Sequence, residues 1–145
     1  MIFVIDTSVA VKWFVEEPGR DRARQLLKAD GQRVAPDFLI AEVANVLWRR
    51  QRTGDVKDAQ VNEPLDRLPS FFQDLAPSSG LVSDALKLAR ELQHSVYDCL
   101  FLALASQIPA ARLVTADDRF IAKAHPTEHS KLLLPLSDFT SRPEQ

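Results

Sequence analysis

The run from Tyr97 to Ser106, YDCLFLALAS, is apolar on nearly every side of a helix, and this constrains the fold more than any other stretch. A helix with one apolar stripe can lie on a surface, but one that is apolar all round needs neighbours on every side. In 145 residues, enough for one good core and too few for two, such a helix must be central to a single domain.

The rest of the chain supplies layers to pack around it. Ile2 to Ile5 is a short β-branched and aromatic run that stops at Asp6, Thr7 and Ser8, residues that favour helix N-caps. Val9, Trp13 and Phe14 recur at helical spacing until Pro18 and Gly19, and Arg20 to Lys28 resumes as an amphipathic helix. A strand is expected near Arg33 to Ala35. Pro36 and Asp37 then open a long helix carrying Leu39, Ile40, Val43, Ala44, Val46 and Leu47, closed by Gly54. Asp55 to Leu68 reads as a helix interrupted at Pro64, Phe71 to Leu75 as a strand, and Pro77 to Gly80 as a loop. After a helix over Leu81 to Leu92 and the apolar helix, Arg112 to Thr115 reads as a buried strand. Asp117 to Lys123 reads as a short helix and Leu132 to Leu136 as a last strand. Residues 1–139 form the domain, and 140–145 a frayed tail.

Strands alternating with helices predict an α/β fold with a mainly parallel central sheet covered on both faces, a three-layer sandwich. In open sheets of this kind ligands bind beyond the carboxyl ends of the strands, which is where Asp6 and Asp117 fall.

Asp6, Glu42, Asp98 and Asp117 stand out by context. Each has an ordinary reading. Asp6 and Asp117 fit as N-caps, Asp98 fits a capping box with Ser95, and Glu42 fits a solvated helix position. Glu42 shares its helical stripe with Asn45 and Arg49, so one face presents an acid, an amide and a cation. Together the acids at helix starts on one side of a sheet would converge and repel, and a cation resolves the repulsion. Magnesium suits such a site, because it takes oxygen ligands and keeps several waters. A pair of ions would stabilise both the attacking and leaving oxygens of a phosphodiester.

Charge limits the partners without naming one. The formal net charge is −2, which speaks against a generally phosphate-binding surface. Basic residues nevertheless gather at Arg20, Arg22, Arg24, Lys28 and Arg33, and at Arg49, Arg50, Arg52 and Lys57, stretches that also read as solvated helix faces. Met1 to Ile5 lacks the basic start and cleavage pattern of a signal peptide, and no run approaches a membrane span, so a cytoplasmic protein without membrane attachment is expected. Cys99, the single cysteine, lies in an apolar run and reads as a small buried hydrophobe. His94, His125 and His129 have no zinc-site spacing.

The opening VIDTSV, the helical AEVANVLWR, the run YDCLFLALA and the closing LVTADDRF, in this order and separation, resemble the PIN-domain family over most of the chain. Asp6, Glu42, Asp98 and Asp117 occupy its acidic slots, and the chain length resembles VapC-type toxins of toxin–antitoxin pairs. The resemblance implies a Mg2+- or Mn2+-dependent endoribonuclease acting on RNA, a homodimer, and a small cognate antitoxin protein as partner. Asp6 and Asp98 would then ligate metal directly, Asp117 would support a second metal or its waters, and Glu42 would orient or deprotonate the attacking water. Thr7, Ser8, Asn45 and Thr115 would support these groups by hydrogen bonds, and Arg49 and Arg50 would contact RNA phosphates. Asp118 adds an acid beside Asp117, but the family's Thr-x-Asp pattern selects Asp117 and leaves Asp118 as a helix-start residue. Trp13, Phe14 and Trp48 are candidate apolar anchors for an antitoxin tail, each also readable as core.

Other enzyme classes fit less well. A dehalogenase-type phosphatase wants a second aspartate where Ser8 stands, and a receiver domain wants an acidic pair where Ile5 precedes Asp6. The remaining alternative is a catalytically inactive PIN-like scaffold binding RNA or protein.

Overall fold

The computed structural model describes residues 1–56 and 65–141. Its strands are β1 (Ile2–Ile5), β2 (Gln32–Pro36), β3 (Asp74–Ala76), β4 (Ala111–Thr115) and β5 (Leu133–Pro135). They form one sheet in the order β3-β2-β1-β4-β5, and each pairing is parallel. Phe3, Val4 and Ile5 are all buried although successive side chains point to opposite faces, so the central strand is covered on both sides. The expected α/β architecture is the observed one.

The helices in chain order are α1 (Thr7–Ala10), α2 (Arg20–Lys28), α3 (Phe38–Arg52), α4 (Val82–Leu92), α5 (Val96–Gln107) and α6 (Asp118–Ala124). The all-round apolar segment is α5. Every residue from Cys99 to Ala105 is buried, and the helix packs on β1, β2 and β4 with α4 alongside. Ser95 caps its start, its Oγ accepting from Asp98 N at 3.2 Å. Gly54, with φ at 82°, turns the chain away after α3 ends, a backbone conformation an L side chain resists.

Two elements differ from the sequence expectation. The helix expected through Val9, Trp13 and Phe14 is a four-residue α1 followed by a 3-10 turn over Val11–Trp13. Trp13 is buried at its end, with Nε1 donating to Ala23 O at 2.8 Å, so the chain tightens to seat the indole. The strand expected at Phe71 to Leu75 falls later, at β3, and Leu68–Phe71 is a 3-10 turn beginning around Pro69. Phe71 and Phe72 pack on the Trp13 ring with centroids 5.7 and 5.8 Å away instead of extending the edge strand. Most of the helix expected over Asp55 to Leu68, and residues 142–145 of the expected tail, lie outside the described residues. Phe139 is buried edge-on to Phe3 at 5.8 Å, and its carbonyl accepts from Arg22 at 2.7 Å. No helix among the described residues is long and apolar enough to cross a membrane.

Candidate active site

The sheet order places the site. The chain builds outward from β1 through β2 to β3 and then crosses back to β4 on the other side of β1, so the direction of winding reverses between β1 and β4. Helix-bound turns diverge there and leave a crevice at the strands' carboxyl ends. Asp6 follows β1 at this point, and Asp117 follows β4 after one intervening residue. The strands are locked in register up to the site by Ile5 opposite Val114, and Asp6 N donates to Val114 O at 3.1 Å.

Asp6 is 3% exposed. It caps α1, its Oδ2 accepting from Ser8 N at 3.3 Å, from the Ser8 hydroxyl, and from the Thr115 hydroxyl at 3.1 Å. Ser8 Oγ in turn accepts from Ala116 N at 2.9 Å, which ties α1 to the end of β4. Oδ1 is buried with no hydrogen-bond partner. Burial raises the Asp6 carboxyl to about 7. Ser8 pulls against that rise, Asp98 and Glu42 add to it, and Thr115 opposes it. An N-cap does not require this environment, since a solvated aspartate caps equally well.

Glu42 lies half-buried on α3, at the apolar stripe's edge. Burial raises its pKa, the Thr7 hydroxyl opposes that rise, Asp98 adds to it and Arg49 lowers it. Thr7 Oγ1 is nonetheless buried without a well-formed hydrogen bond. Asp98, in the first turn of α5, therefore acts on both Asp6 and Glu42. Asp117 caps α6 through Oδ1, which accepts from Arg119 N and Phe120 N at 3.1 Å each, while its own amide donates to Thr115 Oγ1 at 3.1 Å. Asp118 is the first residue of α6, as expected of a helix-start acid.

Sequence reasoning missed His94. Its Nε2 lies 2.6 Å from Asp98 Oδ2, and donor atoms of His94, Asp98 and Asp117 all lie within 4.8 Å of one another. The only signal was the i, i+4 spacing of His94 and Asp98, obscured because Gln93, with φ at 52°, ends α4 just before His94, which therefore lies in the connection while Asp98 lies in α5. These three side chains line an open cleft of about 680 Å³ together with Arg90, Ser95 and Arg119.

The surrounding residues sit in different settings. Arg50 Nη2 binds Glu17 Oε2 at 2.6 Å, and Lys12 Nζ binds the other Glu17 oxygen at 3.0 Å, so Arg50 is held in a local ion-pair network. Arg49 is exposed and close enough to act on Glu42. Asn45 is exposed on α3. Trp13 belongs to the core, whereas Trp48 is 49% exposed with the Arg52 guanidinium 5.0 Å over its ring. Cys99 is fully buried, and burial together with Asp98 pushes its thiol up to about 12, leaving it inert as a nucleophile.

The donor set fits a divalent ion. An orphaned buried carboxylate oxygen on Asp6, and a proton affinity raised by burial and by neighbouring acids, mark a site short of positive charge. Carboxylate oxygens around it are the ligands that hard divalent ions take.

The chain is similar to known proteins. The chain is 30% identical over 125 residues to Ribonuclease VapC3 from Pyrobaculum aerophilum, a match covering 85% of this chain and 95% of that protein. The crystal structure of PAE2754 from Pyrobaculum aerophilum superposes with a TM-score of 0.63 at 21% identity, over 94% of this chain and 90% of that one, and so shares the fold. Residues 3–126, which contain the whole acidic face, match the PIN domain family. The chain belongs to the PIN-domain family.

Proposed function

We propose that the chain is a divalent-metal-dependent endoribonuclease, the VapC-type toxin of a toxin–antitoxin pair acting in the cytoplasm. The observation that carries this reading is Asp6, a buried carboxylate with one oxygen left without a hydrogen-bond partner and with Asp98 and Glu42 close enough to raise its proton affinity. Isolated buried charge is costly, so a fold that keeps these acids together has a use for a cation between them. The likeness to Ribonuclease VapC3 supports RNA as the substrate class and an antitoxin as the partner.

Asp6 and Asp98 would hold the ion, with Asp117 supporting it or its waters and Mg2+ or Mn2+ as the fitting metals. When bound, such an ion supplies an activated water and neutralises charge building on the phosphodiester. Glu42, whose burial raises its proton affinity, orients the attacking water and accepts its proton. Ser8 and Thr115 hold the Asp6 carboxylate in place, and Thr7 faces Glu42. Arg49 lies beside the acidic face to meet an RNA phosphate.

The test is cleavage of RNA by purified protein. We expect cutting only with Mg2+ or Mn2+, leaving 5′-phosphate and 3′-hydroxyl ends, and none from Asp98→Asn. Undiminished cleavage in excess EDTA overturns the metal mechanism. A folded, metal-binding protein that cuts no RNA returns the chain to a scaffold role.

A further inference from the structure

We propose that His94 is itself a metal ligand, completing with Asp98 and Asp117 a mixed nitrogen and oxygen site that favours a transition ion such as Mn2+ over Mg2+. The inference rests on reading this face as a metal centre, and adds a nitrogen donor beside the carboxylates of Asp6, Asp98 and Asp117 and the ion that such a donor suits.

Three features converge on this assignment. The donor atoms of His94, Asp98 and Asp117 lie within 4.8 Å of one another. Ligands of one octahedral ion with bonds of about 2.1 Å are separated by roughly 3 Å, or 4.2 Å when opposite, so side-chain shifts on the order of 1 Å close the site. Second, the imidazole is held in position before any ion arrives. Its ring stacks on Phe120 with centroids 4.8 Å apart and planes 14° from parallel, and the amide of that same Phe120 donates to Asp117 Oδ1. One residue of α6 thus sets both the nitrogen and the oxygen donor. Third, the group is reachable: the His94 side chain is 13% exposed and that of Asp98 26%, and all three residues line the same cleft.

The remaining bonds leave room for coordination. Asp117 uses Oδ1 to cap α6, so its other oxygen is the donor available to an ion. An imidazole donor adds a ligand without adding negative charge to a face that already carries Asp6, Asp98 and Asp117. A nitrogen ligand does little for Mg2+, which prefers oxygen and water, and strengthens binding of first-row transition ions. The separation of 2.6 Å between His94 Nε2 and Asp98 Oδ2 is short for two ligands of one ion, and binding would replace that contact by two metal bonds.

The experiment uses the metal-free full chain, Mn2+ and Mg2+, and no RNA. Pulsed electron paramagnetic resonance of the Mn2+-loaded protein should show coupling to a directly bound 14N nucleus, absent in His94→Gln. Calorimetry should show Mn2+ binding at least about ten-fold tighter than Mg2+, with the gap narrowed in His94→Gln as Mn2+ affinity falls by about ten-fold or more. Mn2+ binding without nitrogen coupling in the wild-type protein overturns the inference and leaves the oxygen-ligated metal centre standing. So does a folded His94→Gln variant that binds Mn2+ as tightly as wild type. Failure of both ions to bind overturns the metal centre itself.

Discussion

The Thr115 hydroxyl at the end of β4 donates to Asp6 Oδ2, just past the end of β1, 3.1 Å away, and Thr115 Oγ1 itself accepts from Asp117 N at 3.1 Å. One fully buried side chain therefore fixes two of the acids relative to each other across neighbouring strands.

Thr115→Val keeps the shape and removes both bonds. It should destabilise the fold by about 1–3 kcal/mol, the range for leaving buried polar groups unpaired. The Asp6 carboxyl should also titrate higher, because the Thr115 bond lowers it in the wild-type protein. Chemical denaturation checks the first effect, and Thr115→Ser, which restores the hydroxyl, should recover most of it.

Asp6 makes the metal-free protein sensitive to pH in a defined direction. Its carboxyl titrates near 7 in the fold against 3.8 ordinarily. Below pH 4 both states hold the proton. As pH rises the unfolded chain ionises first, so stability falls until about pH 7, by a total on the order of 4 kcal/mol. Asp6→Asn should abolish cleavage, remove this decline, and melt above the wild-type protein at pH 8 in EDTA. Melting curves of the two proteins from pH 5 to 8 decide it, and parallel curves would show that Asp6 is not held in the raised state. Glu17 and Asp37 act oppositely and at lower pH. Burial pushes the Glu17 carboxyl up but is outweighed by its bonds to Arg50 and Lys12, and Ser78 holds Asp37 down. Their contribution is present above their ordinary pKa and lost as pH falls below it.

Arg49 and Arg50 should separate although adjacent. Arg49→Ala should weaken RNA binding and reduce the salt slope by about one, the signature of one lost phosphate contact. Arg50→Ala should instead cost stability, about 1 kcal/mol or less for a half-exposed ion pair with Glu17. Binding isotherms at several salt concentrations, alongside denaturation, would contradict this division if Arg50→Ala changed the salt slope and Arg49→Ala did not.

Co-expression with the product of a small neighbouring gene should give a stable complex with suppressed cleavage. On the proposed function this partner is an antitoxin, and an arginine on its tail would pair with the acidic face in place of metal, so excess Mg2+ should compete with it. Trp48, exposed and already stacked under Arg52, is the aromatic best placed to anchor such a tail, and Trp48→Ala should weaken the complex without unfolding the chain. A complex that forms while cleavage continues would place the partner away from the groove.

What the sequence determined by itself was whatever rests on neighbours within a turn or two. The apolar circumference of α5 required burial, the β-branched run of β1 ending at Asp6 gave a strand and a cap, and the stripe of α3 put Glu42, Asn45 and Arg49 on one side. These short-range patterns, ordered along the chain, sufficed for the parallel α/β fold and for naming Asp6, Glu42, Asp98 and Asp117. Tertiary structure decided what depends on contacts between distant segments. Glu17, far from α3 in sequence, captures Arg50, and the Trp13 indole pulls Phe71 and Phe72 out of the edge strand. Phe120 stacks on His94 beside Asp98 and Asp117, and burial in the assembled fold raises the Asp6 carboxyl to about 7. A side chain's periodicity says which face it occupies, but its desolvation and charge partners are set by chain that returns from elsewhere, and only the assembled fold contains that information.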